Sequence, residues 1–175
     1  SKLAGNKGTE PLKLSLRSAT SIVRTATAQI ATDARNAVYK ANEDLIYGYT
    51  HIATLDSRTT PQCGARDGLK WGKDGTPIDH DLPMLYPPLH FNCRSQLVPI
   101  LAIDMETTRA SDLGEESAST TFEEFMDKRG DDFSEDVLGK GRYQLYKDKN
   151  LSLTDLLDPK GLKPLSLDDL REKYD

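Results

Sequence analysis

Residues 72–88 carry Gly72, Gly75, Pro77, Pro83, Pro87 and Pro88 and show neither the two-residue rhythm of a strand nor the 3.6-residue rhythm of a helix. An irregular stretch of that length is uncommon inside a compact domain and needs side chains that pin it. The only two cysteines, Cys63 and Cys93, stand on either side of it, with His80 inside and His90 just beyond. Whatever this chain folds into must therefore close a long loop around a small Cys/His set. Two cysteines in 175 residues make no disulfide-dense secreted scaffold. The remaining stability must come from an apolar core, in an intracellular setting.

Around that loop the chain divides into four zones: an arm over 1–16, a core over 17–103, a linker over 104–119 and a helical segment over 120–175. In the core, Ile22, Ala26, Ile30, Ala34, Ala37, Val38, Ala41 and Leu45 recur at three- and four-residue intervals, which predicts a long helix from about 17 to 47 that buries this stripe and ends near Gly48. The β-branched and aromatic run at 49–55 predicts a strand, and Gln96, Leu97, Val98, Pro99 and Ile100 predict a second, placed at an edge or ending at Pro99. The polar stretch 104–119 reads as a linker. Beyond it, Thr121 with Glu124 forms a capping-box pattern, and Ser152 with Asp155 and Ser166 with Asp169 repeat it, each beside leucines. The fold class is α+β: a long helix on a small antiparallel sheet with long irregular loops, then short helices.

Charge narrows the function. A net charge of -5 and a pI near 5.3 argue against a chain whose main affinity is for phosphate backbones, while leaving room for local basic stripes. No apolar run spans a membrane and no signal peptide opens the chain; Ser1 in place of Met reads as a fragment or a processed product. His90 and Cys93 offer a nitrogen and a sulfur within one turn of chain, a pair that zinc accepts, with Cys63 and His80 as further ligands. A Cys63–Cys93 disulfide and two buried free thiols are the alternatives. Asp56, Arg58, Asp67 and Arg94 lie near strand ends, where an Asp56 pair with Arg58 or Arg94 would fasten one strand to another, and Asp67-Gly68 signals a turn. No nucleophile or phosphate loop stands at matching spacing, so no catalytic residue is assigned. Residues 117–121 with Glu123 and Glu124 are similar to the Ser/Thr strand and acidic pair of ADP-ribosyl transfer, in a context that reads as linker and helix cap.

Four segments together resemble the phage Mu F-like head morphogenesis family. They are the helix with Arg24-Thr25-Ala26-Thr27-Ala28; Asp56-Ser57-Arg58-Thr59 through Cys63 with Asp67-Gly68; Pro87-Pro88-Leu89-His90-Phe91-Asn92-Cys93-Arg94; and the tail with Phe122-Glu123-Glu124-Phe125, residues 137–142 and 151–156. Ala26 stands where the family commonly has Glu. Thr60 and Ser95 stand where members often carry two more cysteines, so a four-cysteine site is impossible here, and His90 or His80 would complete any metal set. The resemblance implies a structural minor capsid protein, bound near the portal inside the virion and present in the host cytoplasm during assembly. Portal and other capsid proteins are the implied partners, with genomic DNA a further one. The lysines of the arm, Lys2, Lys7 and Lys13, and the leucines Leu151, Leu153, Leu156, Leu157, Leu165, Leu167 and Leu170 are the expected contacts. The alternative is a toxin-like nuclease or ADP-ribosyltransferase built on the same domain.

Overall fold

A computed structural model describes residues 9–102, 108–160 and 163–174; the first eight residues of the expected arm lie outside it. Helix α1 runs Thr9–Ala41, so it begins within the zone read as an arm and ends well before Gly48. At ~1.5 Å per residue it is about 50 Å long. Its C-terminal end is held by Asn42, whose amide donates to the Val38 carbonyl at 2.8 Å.

The face of α1 that packs is not the apolar one. Ser21, Thr25, Ala28, Thr32 and Tyr39 turn inward, with Thr32 buried, while Ile22, Ile30, Val38 and the alanines Ala26, Ala34, Ala37 and Ala41 are exposed. Hydrogen bonding decides this. The Asn92 backbone N–H donates to Thr25 Oγ1 at 3.0 Å and its side-chain amide to Ser21 Oγ at 2.8 Å, and small residues on that face let the loop come close. The Tyr39 and Tyr49 rings meet at 6.2 Å lower down.

Four strands form an antiparallel sheet in the order β3-β2-β1-β4: β1 is Ile46–Ile52, β2 Lys70–Gly72, β3 Pro77–Ile78 and β4 Gln96–Leu101. Pro99, which lacks an N–H, sits on β4 at the sheet edge. Gly48 lies within β1 opposite Gly72, not at a helix end. A Cβ there would strike the Trp71 carbonyl, so glycine permits the strands to meet. The short helix α2, Pro61–Gly64, is capped by Thr60, and Gly68 at φ 80 turns the chain back so that its N–H bonds the His51 carbonyl at 2.8 Å.

The stretch 104–119, read from its composition as a linker, contains a hairpin of β5, Thr108–Ser111, and β6, Gly114–Ser117. Its strands are polar because they are fastened by charge rather than by an apolar face. Arg109 reaches back to Asp67, and Arg129 pairs with Asp112. Helices α3 (Phe122–Arg129), α4 (Asp131–Leu138), α5 (Lys140–Asp148) and α6 (Leu167–Tyr174) follow. Thr121 and Glu124 form the reciprocal capping box at α3, and the Ser166 and Asp169 side chains bond each other's backbone at α6. Ser152 and Asp155 open only a 3₁₀ turn, Thr154–Leu156.

These helices build the main core. Phe122, Phe125, Met126, Phe133, Leu138, Leu153, Leu156, Leu157 and Leu170 cluster with Leu55 and Ala65 from the sheet side. Each fully buried Leu or Phe contributes about 1.5–3 kcal/mol, which ties the C-terminal segment to the body. The leucines expected as outward contacts are thus largely spent inside: Leu153, Leu156, Leu157 and Leu170 are buried, and Leu151 and Leu165 pack against them.

Candidate functional site

The sheet, α2 and the loop after residue 88 bring three of the four sequence-nominated ligands together. Thr60 and Pro61 start α2 and place Cys63 beneath the strand end, while the Pro88–Cys93 loop lowers His90 and Cys93 onto it. Cys63 Sγ lies 3.7 Å from Cys93 Sγ and 3.1 Å from His90 Nε2, and all three ligand atoms fall within 4.8 Å of one another. Both thiols are buried and unbridged. Two thiolates on a tetrahedral zinc at ~2.3 Å stand about 3.8 Å apart, so the sulfurs already have that spacing. His90 Nδ1 bonds the Phe91 carbonyl at 2.8 Å, which in the neutral ring leaves the Nε2 lone pair facing Cys63. Thr60 Oγ1, 3.0 Å from Nε2, occupies the open side.

The sulfurs share their protons unequally. The hydrogen bond from Cys63 lowers the Cys93 pKa, helped by His90, while the same bond and burial raise Cys63. His90 is raised chiefly by the Cys93 sulfur. A thiolate beside an imidazole is nucleophilic chemistry in an open site. The cavity beside Cys63 and His90, lined also by Thr54, Thr59 and Thr60, measures about 10 Å³, which admits one water or one ion and no substrate, while Cys93 lines part of a larger cleft of about 710 Å³ beside α1.

His80 is elsewhere. Its Nε2 donates to the Lys70 carbonyl at 2.9 Å, its Nδ1 accepts from the Leu82 N–H at 3.1 Å, and its ring stands edge-on to Trp71 at 4.8 Å. It straps the irregular loop, together with Trp71 Nε1 donating to the Leu82 carbonyl and Arg66 to the Pro83 carbonyl. The pin that residues 72–88 require is thus mostly Trp71, Arg66 and His80.

Two carboxylates flank the cluster. Asp56 accepts both Nη atoms of Arg94 at 2.6 Å and Arg58 at 3.0 Å, and the Arg94 bonds above all hold its pKa at about 2. Asp67 accepts the Ala53 N–H at 2.6 Å and both Arg109 nitrogens at 2.9 Å; burial nevertheless pushes its pKa up against Arg109. Arg109 also donates to the carbonyls of Thr120 and Ala53, so one guanidinium joins β1, the hairpin and the start of α3. Sequence reasoning missed Arg109 because a lone arginine in a polar stretch gives no signal of burial. It missed His51 for a similar reason: a histidine within a strand run does not announce that it faces the core. Glu123 bonds Tyr146 Oη and the Leu153 N–H, and Glu124 caps α3, so both acids of the transferase-like pattern hold helices in place.

A small antiparallel sheet flanked by one long helix and knotted at one end by a Cys/His cluster defines a structural α+β domain. A family model described as Phage Mu protein F like protein matches residues 6–98, from α1 to the middle of β4. That is just over half the chain, and the chain belongs to this family, one of bacteriophage head morphogenesis and structural proteins. No curated protein matches it, and no solved structure does. No described helix is long and apolar enough to cross a membrane.

Proposed function

We propose that this protein is a minor head protein, bound in few copies inside the shell near the portal, which acts in head assembly without catalysing a reaction. Besides family membership, the observation that carries this reading is the outer face of α1. Leu16, Val23, Ile30 and Val38 are 60, 63, 69 and 59% exposed, interleaved with exposed alanines, on the side opposite the one that packs on the body. An apolar stripe of that length is a protein contact surface, and alternating large and small residues suit another helix. Portal or shell subunits are the partners proposed for it. In the same reading the segment from α3 to α6 folds as one unit with the core, and Cys63, His90 and Cys93 hold a structural zinc ion. The structural engagement of Glu123 and Glu124, and the tiny cavity beside Cys63 and His90, support a role without catalysis.

The test is assembly in cells that produce the other head proteins of the phage encoding the chain. The parent chain is expected to cosediment with portal-containing heads, and Val23→Asp/Ile30→Asp, both at exposed positions, to stay in the supernatant while keeping its circular dichroism. A parent chain that never cosediments, or a double variant that does so equally, contradicts the proposal.

A further inference from the structure

Zinc in a structural role is normally enclosed by four protein ligands, and a position left to solvent is what makes a site exchangeable. The cluster offers three. Among the described residues, the donor atoms of Cys63, His90 and Cys93 meet within 4.8 Å, and no other histidine or carboxylate joins them. The neighbouring candidates are committed elsewhere. Asp56 is gripped by both Nη atoms of Arg94 and by Arg58, Asp67 by Arg109 and the Ala53 N–H, and His80 straps the loop at Lys70 and Leu82. His51, buried with neither nitrogen bonded among the described residues, also lies outside the group. What stands on the fourth side is a pair of hydroxyls. Thr60 Oγ1 is 3.0 Å from His90 Nε2, and the Thr60 and Ser95 hydroxyls both hydrogen-bond the Cys63 sulfur. These are the two positions at which the resemblance places further cysteines, so the chain carries hydroxyls, outside the usual zinc donors, where two thiolates would stand. Room remains beside them. Thr54, Thr59, Thr60 and Ser95 line the chamber of about 10 Å³ next to Cys63 and His90. Arg58 and Arg94 line it too, against the single carboxylate of Asp56, and Arg58 leaves 78% of its side chain in solvent. The chamber is thus net positive and reached from outside.

We infer that Cys63, His90 and Cys93 form a three-ligand site whose fourth position takes an exchangeable water or small inorganic anion, with Thr60 and Ser95 hydrogen-bonding that ligand rather than coordinating the ion. The inference rests on the zinc reading above, and the two fail separately in the test below. Charge balance agrees with it. Two thiolates already neutralise a divalent ion, so a neutral water suffices, and an anion is accepted because guanidiniums stand beside it. The volume of the chamber admits the donor atom of such a ligand and excludes an organic substrate, so exchange at this position is compatible with a role without catalysis.

The experiment loads the metal-stripped full chain with cobalt(II), whose visible bands report coordination and whose near-ultraviolet band reports bound sulfur, and titrates it with azide in chloride-free buffer. The chain is expected to take up cobalt in equimolar amount and show the sulfur band. Azide should then shift the visible bands saturably, in equimolar amount, while the sulfur band stays. Thr60→Cys supplies a protein ligand at the open position; it should bind cobalt, raise the sulfur band by about half as two sulfurs become three, and lose the azide response. Thr60→Val removes the hydroxyl and should keep the visible bands of the azide-free protein, since water still fills the position. Cobalt bound with its sulfur band but unmoved by azide overturns this inference and leaves the metal reading standing. Displaced bands in azide-free Thr60→Val would assign the position to the threonine hydroxyl and overturn it as well, and a parent that takes up no cobalt overturns both readings.

Discussion

Lowering the pH from 7 to 4 forces a proton onto His51 or unfolds the protein to accept it. Both ring nitrogens of His51 are buried with no hydrogen-bond partner among the described residues. Burial, reinforced by the positive charge of Arg66, depresses its pKa from 6.5 to about 4. The sign follows from linkage. The unfolded chain takes up the proton first, so the contribution is complete above about pH 6.5 and is lost as pH falls through 4. At ~1.36 kcal/mol per pH unit the loss is about 2 kcal/mol at pH 5 and about 3 kcal/mol at pH 4. Trp71, the single tryptophan and fully buried, reports unfolding by its fluorescence. Urea titrations in the presence of a chelator, so that no metal ligand contributes, should show the parent losing about 3 kcal/mol more than His51→Leu between pH 7 and 4. Carboxylates titrate equally in both proteins, so the difference isolates the imidazole. Equal losses in the two proteins would refute the reasoning.

Other perturbations separate the remaining supports. Arg109→Met leaves Asp67 buried without its counter-charge and should cost about 3–5 kcal/mol in the same titration, with proteolysis of the hairpin reporting its release. Gly48→Ala drives a Cβ into the Trp71 carbonyl and should destabilise by about 1–3 kcal/mol or more, read as an earlier fluorescence transition. Protein purified without chelator should hold zinc near one per chain by elemental mass spectrometry, with Cys93→Ser lowering the content and chelator lowering the melting temperature. Protein free of zinc under those conditions would leave the cluster as packed thiols.

Much of the architecture was legible because it is written in periodicity and caps. The α1 rhythm, the Thr121–Glu124 box and the edge position of Pro99 all follow from local chemistry and appear in the fold. What could not be read was direction. The stripe with Ile22, Ile30 and Val38 has the spacing of a core face, and nothing local says that Ser21 and Thr25 would instead be recruited by Asn92. The C-terminal leucines erred the opposite way, because short capped helices after a polar stretch look peripheral until Leu55 is seen at the centre of their cluster. The hairpin was hidden since Arg109 and Asp67 are far apart in sequence and their pairing replaces apolar burial. At the candidate site, spacing pairs His90 with Cys93, whereas the approach of Cys63 to His90 depends on where α2 and the loop after Pro88 come to lie. The separation of His80 was not legible either, because it depends on the Trp71 ring against which that imidazole rests.

The central claim, that this chain is a structural component of the head, is tested most directly by counting it in purified particles. Isotope-labelled peptides spiked into digests of washed, DNA-filled heads give its copy number relative to the portal and shell subunits. A few copies per particle, far below the shell subunit and unchanged by washing in high salt, is the expected result. Absence from washed heads, or abundance equal to the shell subunit, would contradict a minor head protein.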